Sequence, residues 1–300
     1  MARDPSEPTS SRPVRRPATL RRAINRRTFL GALLGACASC GYATLVEPHW
    51  VAWTRREMPV RGLPAGLDGA ILAHLSDLHA GPFVEESFLR AVFTRLRRHA
   101  PAYVVVTGDW VTWDGEVHVP RLRRALRHLP QGTHGTIGVL GNHDWGRGWR
   151  DAVYASTVTR TAEEAGVRVL RNEVAALGGL HFAGYDDLWS PGHDARTVHR
   201  AGPLPAATIG LCHNPDGADR PLWSGHRGWI LSGHTHGGQC KPPFLPPPYL
   251  PVKNRRYTQG IFAVGEGRTL HVSRGVGNLL HLRFNARPEV TLFTLRPAPV

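Results

Sequence analysis

Lysine is nearly missing from this chain. Of 37 basic residues only Lys241 and Lys253 are lysines, so the positive charge is arginine. Acidic residues are also few, 23 in 300 residues, which leaves a formal charge of +14. Cysteine is scarce too: Cys37 and Cys40 lie near the start and only Cys212 and Cys240 farther on. That is too few for a disulfide framework. Cys212 and Cys240 are expected buried and reduced, with a bridge between them as the alternative. Long apolar runs are absent except for one near the start, which excludes a polytopic membrane protein. With 41% hydrophobic and 20% charged residues the composition excludes a disordered chain. No internal repeat is present, which excludes a solenoid. A length of 300 residues suits one large α/β domain or two small ones.

The net charge invites a nucleic-acid reading until it is located. Met1–Leu30 holds eight arginines and two acids and contributes +6. Lys241–Val300 contributes +7, so the 210 residues between them carry only +1. The excess sits at the two ends, and nucleic acid is not the expected partner.

Met1–Arg22 is rich in Pro, Ser, Thr and Arg without an apolar period, and is predicted disordered. Asn25-Arg26-Arg27-Thr28-Phe29-Leu30 and the small-residue run Gly31–Ala38 follow. Twin arginines ahead of such a run resemble a bacterial twin-arginine export signal. That resemblance implies the twin-arginine machinery as a partner. It implies export across the cytoplasmic membrane, to a periplasmic or membrane-associated site. The run spans a bilayer only if it extends into Tyr42–Val46. Leu34-Gly35-Ala36-Cys37 also resembles a lipoprotein cleavage box, so cleavage, lipidation at Cys37 and a retained anchor all stay open.

Beyond a lead-in segment, Val51–Leu67, strand and helix patterns alternate. Strands are predicted at 70–76, 103–107, 136–140, 167–170, 180–184, 208–212 and 229–231. A late all-β section is predicted at 261–264, 269–272 and 290–295. Helices are predicted over 85–99, 120–128 and 149–165. In the first of these Phe88, Leu89, Val92, Phe93 and Leu96 share one face. The fold class is therefore α/β, with mixed β-sheets packed as a sandwich and flanked by helices. Pro242–Pro251 is dense in proline and is predicted an irregular loop.

Five polar clusters each follow one of the apolar strands. They are Asp77-Leu78-His79, Gly108-Asp109, Gly141-Asn142-His143-Asp144, Cys212-His213-Asn214 and Gly233-His234-Thr235-His236-Gly237-Gly238. Ligand-binding groups of open α/β sheets collect at the carboxyl ends of strands, so five such clusters can converge on one spot. Asp, Asn and His without cysteine suit Mn, Fe or Zn in a reactive site rather than a structural zinc.

These clusters, in this order, resemble the calcineurin-like metallophosphoesterase superfamily over roughly residues 67–295. Ser76–His79, Gly233–Gln239, Val272–Gly275 and Arg283–Glu289 are similar to a bacterial, exported or membrane-associated branch that includes UDP-2,3-diacylglucosamine pyrophosphatases. The resemblance divides the chain into residues 1–45, a basic arm with its signal or anchor, and residues 46–300, a catalytic domain. It implies two divalent metal ions, manganese first and iron or zinc otherwise. One ion would be held by Asp77, His79, Asp109 and His236, the other by Asp109, Asn142, His213 and His234, with Asp109 shared. A hydroxide between the ions would attack phosphorus. His143 would steady the phosphoryl oxygens or protonate the leaving group. Asp144 would orient His143, or only cap the following segment.

The implied reaction is hydrolysis of a phosphodiester or pyrophosphate bond, on a phosphorylated small molecule or a lipid-linked, cell-envelope substrate. The alternatives are a general nucleotide or nucleic-acid phosphodiesterase and a non-catalytic binding protein. An apolar slot at the metals favours the first and a basic groove the second. Trp145, Trp149, Phe244, Leu245, Tyr249 and Leu250 either receive an apolar leaving group or pack on their own domain. Lys253, Arg255 and Arg256 either meet phosphate or anionic lipid, or are a solvated surface.

Overall fold

The computed structural model describes residues 25–112, 115–199, 202–223 and 225–299. The segment predicted disordered, Met1–Arg22, lies outside these residues. The chain divides into two compact units, one ending at Ser39 and the other running from Cys40 to Val300. The first unit ends within helix α1 (Arg26–Gly41), none of whose side chains is buried. Helical turns continue to His49, so Arg26–His49 is a 24-residue segment whose most apolar 18-residue stretch has mean hydropathy 1.7, long and apolar enough to cross a membrane. Asn25 caps it, its Oδ1 accepting from Thr28 N at 2.8 Å.

In the second unit the elements run β1 (Ala52–Val60), β2 (Ile71–Leu75), α2 (Glu86–Arg97), β3 (Tyr103–Thr107), α3 (Val119–Leu126), β4 (Gly135–Val139), α4 (Ala152–Glu164), β5 (Val167–Val169), β6 (Glu173–Leu177), β7 (Leu180–Gly184), α5 (Ala195–His199), β8 (Thr208–Leu211), β9 (Trp229–Ser232), β10 (Gly260–Ala263), β11 (Thr269–Val272) and β12 (Glu289–Pro297). They form two six-stranded sheets, ordered β1-β12-β2-β3-β4-β5 and β10-β11-β9-β8-β7-β6. Strands β2 to β5 are parallel, and β12 enters antiparallel beside β2. In the other sheet β7, β8, β9 and β11 are parallel, with antiparallel β6 and β10 at the edges. The expected sandwich of mixed sheets is therefore present.

Three apolar layers hold it. Leu72, Tyr103, Val105, Ile137 and Phe293 face Phe182, Ile209, Leu211 and Leu231 between the sheets. Leu89, Val92, Phe93 and Leu96 of α2, with Leu122 of α3 and Val158 of α4, cover the outer face of the first sheet. A third cluster around Trp223 and Tyr185 covers the second. Central strands are buried on both faces and read as continuous β-branched runs. Burying such a side chain stabilises by about 1.5–3 kcal/mol.

Three sequence expectations change. The lead-in segment contains β1, an edge strand whose Arg55, Arg56 and Glu57 are exposed, so its pattern is masked. Strand β6 was not anticipated; it forms a hairpin with β7 across Gly178-Gly179, both at positive φ. The late β section is not a unit, because β10 and β11 complete the second sheet while β12 crosses into the first. Cys212 is buried and Cys240 partly buried, and both are free thiols.

Between the sheets His74 Nδ1 lies 3.1 Å from His271 Nδ1, and His74 Nε2 lies 2.8 Å from Thr107 Oγ1. Burial drives His74 well below the usual histidine range and His271 down to about 4. Both rings stay neutral in the native state, while the unfolded chain takes up protons below about pH 6.5. Their contribution to stability is thus complete above pH 6.5 and is lost as pH falls toward 4, at up to about 1.4 kcal/mol per pH unit for each ring. His271→Asn should flatten the fall in urea midpoint between pH 7 and 5. An unchanged slope would refute this account.

Candidate metal centre

The five polar clusters sit where the sheets end. Asp77 and His79 follow β2, Asp109 follows β3, Asn142 and His143 follow β4, His213 follows β8, and His234 and His236 follow β9. Asp77, His79, Asp109, His234 and His236 all hold positive φ, between 46° and 72°. Each such non-glycine residue costs on the order of 1 kcal/mol or more, a strain that proteins concentrate at functional sites. It turns consecutive side chains inward at the strand tips. Gly233 makes the close approach of β9 feasible, since a Cβ there would overlap Ser76 Oγ and Asp77 Oδ2.

The inward side chains form two adjoining groups, Asp77–His79–His236 and Asp109–His213–His234. In the first, His79 Nε2 lies 3.1 Å from His236 Nε2, and His236 Nε2 lies 3.4 Å from Asp77 Oδ1. In the second, His234 Nδ1 lies 3.2 Å from His213 Nε2. Asp109 Oδ2 stands between them, 3.1 Å from His213 Nε2 and 3.5 Å from His79 Nε2. Its other oxygen accepts from His143 N at 2.9 Å. Asn142 lines the same cavity, and its Oδ1 is buried without a hydrogen-bond donor.

Charge balance shows what this cluster is suited to hold. Burial pushes Asp77 up to about 6. Burial also opposes ionisation of Asp109, but His213 and its neighbours hold it well below the carboxylate range. Burial acts against a charge on His213, yet Asp109 keeps it well above the histidine range. Burial lowers His79 and His234 to about 3 and His236 well below its usual value. The interior thus gathers three neutral imidazoles, a fourth held charged by Asp109 that a cation would replace as that carboxylate's partner, carboxylates and an orphaned amide oxygen, a set of donors that fits divalent cations. Outer partners set two of the rings: His213 Nδ1 lies 2.7 Å from Thr107 O, and His234 Nε2 lies 2.9 Å from Pro251 O. Each ring so fixed offers its other nitrogen inward.

The site opens into a cavity of about 430 Å³. His143, Trp149, Trp189, Tyr249, Leu280 and Leu282 are among its walls, and no lysine or arginine of the described residues lines it. Trp189 stacks on Trp149 at 4.8 Å and meets His234 edge-on at 4.6 Å. Of the aromatic and apolar residues singled out from sequence, Trp149 and Tyr249 line the cavity. Trp145 and Leu250 are buried, whereas Phe244 and Leu245 are exposed. The C-terminal basic residues are largely engaged elsewhere: Arg274 pairs with Glu289, Arg296 with Glu57 and Asp68, and Arg287 lies over Trp50.

Asp144 is fully buried. Its Oδ1 accepts from Trp110 N at 2.8 Å and its Oδ2 from Gly141 N at 2.8 Å, so it joins the loops that carry Asp109 and Asn142. Sequence reasoning missed Trp189, although Asp186-Asp187-Leu188-Trp189 follows β7 as the other clusters follow their strands. It also missed Arg283 as a neighbour of the site: its Nη2 lies 3.2 Å from His236 Nδ1.

Two six-stranded sheets whose strand tips gather two adjoining Asp/His clusters define a metal-dependent hydrolase with a dinuclear centre. The family model for calcineurin-like phosphoesterases matches residues 71–238, and this chain belongs to that family. It is 33% identical to an uncharacterised metallophosphoesterase, YkuE, of Bacillus subtilis, over 91% of this chain and 98% of that one. It is 31% identical to the phosphodiesterase YaeI of Escherichia coli, over 91% and 99%. It is 24% identical to the UDP-2,3-diacylglucosamine pyrophosphatase LpxG of Chlamydia trachomatis, over 84% and 91%.

Proposed function

We propose that the chain hydrolyses a phosphodiester or pyrophosphate bond in an amphiphilic, lipid-linked substrate at the cell envelope. The observation that carries this reading is the apolar cavity beside the metal ligands, walled by Trp149, Trp189 and Leu282 and free of lysine and arginine among the described residues. A nuclease groove needs cations along its length to track phosphates. The pyrophosphatase relative acts on a diacylated sugar nucleotide by its name, which is consistent with an acyl chain in this slot.

Asp77, His79, Asp109 and His236 are assigned to one ion, and Asp109, Asn142, His213 and His234 to the other. Two bound divalent ions, manganese first, would supply a Lewis acid for the phosphoryl group and an activated water. Asp109 shares its charge between both clusters. His143, at the cavity wall and 5.1 Å from the His79 ring centre, faces the reacting group and delivers or steadies charge at the leaving oxygen. Asp144 is assigned a positioning part, through the backbone amides of Trp110 and Gly141.

The segment Arg26–His49 serves as export signal or anchor by the twin-arginine route. Phe244, Leu245 and Tyr249, all exposed in the proline-dense loop, meet the membrane surface.

A substrate panel on the manganese-loaded protein tests the reading. A lipid-linked pyrophosphate in mixed micelles should be cut with a kcat/KM at least about tenfold above that of its deacylated counterpart. Each buried methylene is worth about 0.8 kcal/mol, so two suffice for that ratio. Equal rates on the two, or preference for single-stranded DNA or cyclic nucleotides, would overturn it.

A further inference from the structure

We propose that Glu47 and Arg283 are positioning residues for the ligand group Asp77–His79–His236, so that the segment Ala43–Glu47 is a working part of the site. The inference rests on the two-metal reading given above.

Arg283 is fully buried, and no carboxylate pairs with it among the described residues. An unpaired guanidinium is costly to bury, and burial lowers this one to about 10. Its donors show what offsets that cost. Nη1 donates to Ala286 O at 2.6 Å, and Nη2 to Arg274 O at 3.0 Å and to Gly277 O. Nη2 also lies 3.2 Å from the Nδ1 of His236. The carbonyls of Arg274 and Gly277 belong to the loop that wraps Asp77. Val276 N donates to Ser76 O at 2.9 Å, and Gly277 N to Asp77 O at 2.7 Å. Gly275, at φ +70°, lies so close that a Cβ there would stand 2.7 Å from Asp77 Cβ. One side chain therefore holds the backbone around one ligand of this group and packs against the ring of another.

The turn that carries Arg283 is braced from outside. Arg283 N donates to Ala43 O at 2.9 Å. The carboxylate of Glu47, only 1% exposed, accepts from Asn285 N at 3.0 Å and from Ala286 N at 2.6 Å. The end of the apolar segment thus fixes the turn, the turn fixes the guanidinium, and the guanidinium fixes the Asp77 loop and packs against the His236 ring. The other group is set by different partners, Thr107 O for His213 and Pro251 O for His234. The brace is therefore selective for one of the two ions.

Manganese titration of the full-length, chelator-stripped chain in detergent, followed by calorimetry, tests this. Wild type should take up two ions. Glu47→Ala should weaken one of them about tenfold or more, the usual loss on removing an outer partner of a metal site. The second should stay within about threefold. Glu47→Gln, which keeps one acceptor, should fall between. Glu47→Ala leaves Arg283 in place and folds even where Arg283→Met does not; its metal-free melting curve checks this. Two unchanged affinities in Glu47→Ala would overturn the positioning role. Equal weakening of both ions together with a lower metal-free melting temperature would also overturn it, in favour of a general stability role. A wild-type chain that takes up no manganese would overturn the two-metal reading, and this inference with it.

Discussion

Replacing Asp109 by asparagine is expected to lower kcat on bis-p-nitrophenyl phosphate by on the order of a thousandfold or more, and to reduce bound metal. The carboxylate reaches the side chains of both ligand clusters, at 3.1 Å from His213 Nε2 and 3.5 Å from His79 Nε2. Asparagine keeps the shape and an acceptor for His143 N, but loses the negative charge that both cations share. His213 also loses the partner that holds it protonated in the metal-free chain. Metal content measured on the same sample separates a loss of ions from a loss of chemistry. An Asp109→Asn variant with wild-type rate and two bound ions would sink the assignment, and so would full activity of the metal-stripped wild type.

The second large effect is expected at His143. His143→Ala should keep both ions and lose roughly 10²–10⁴ in kcat, the range for a missing acid–base or charge-stabilising group. The site supports this separation. The contact of His143 with Asp109 runs through its backbone N–H, which alanine retains. Its imidazole instead lines the cavity, beside His79 and Trp149. Burial lowers it below the ordinary histidine value, so it is neutral near pH 7 before the ions bind. If metal content falls in parallel with rate, His143 is a structural support and its proposed role fails. A loss confined to substrates with poor leaving groups would mark it as the acid.

Several features were legible because local chemistry produced them. Strands such as Tyr103–Thr107 are buried on both faces, so their sequence is an unbroken apolar run. Helix α2 showed its core face because Leu89, Val92, Phe93 and Leu96 recur at helical spacing and are all buried. The polar clusters announced themselves by following such strands. Strand β1 stayed hidden, since Arg55, Arg56 and Glu57 at a sheet edge have no reason to alternate. Strand β6 carried its hairpin signal in Gly178-Gly179, but its own burial is partial. The basic C-terminal section stayed open for a different reason: charge counted along a chain says nothing about pairing, and Arg274 is spent on Glu289 and Arg296 on Glu57 and Asp68 at the other end of the domain's sequence.

The scarcity of lysine and the placing of arginine at the two ends were properties of the sequence by itself. So were the alternating elements, the Asp/Asn/His clusters and the apolar segment after the twin arginines. These follow from residue type and spacing, which local structure reads directly. Only the tertiary structure decided the rest. Parallel strands from both sheets had to end at one edge before Asp109 could stand beside both His79, 30 residues earlier, and His213, 104 residues later. Packing between loops put Trp189 and Leu282 on the cavity wall and left basic residues off it. The return of β12 into the first sheet carried Arg283 past His236 and brought Glu47 against its turn. Such contacts join residues distant in sequence, and no local pattern encodes them.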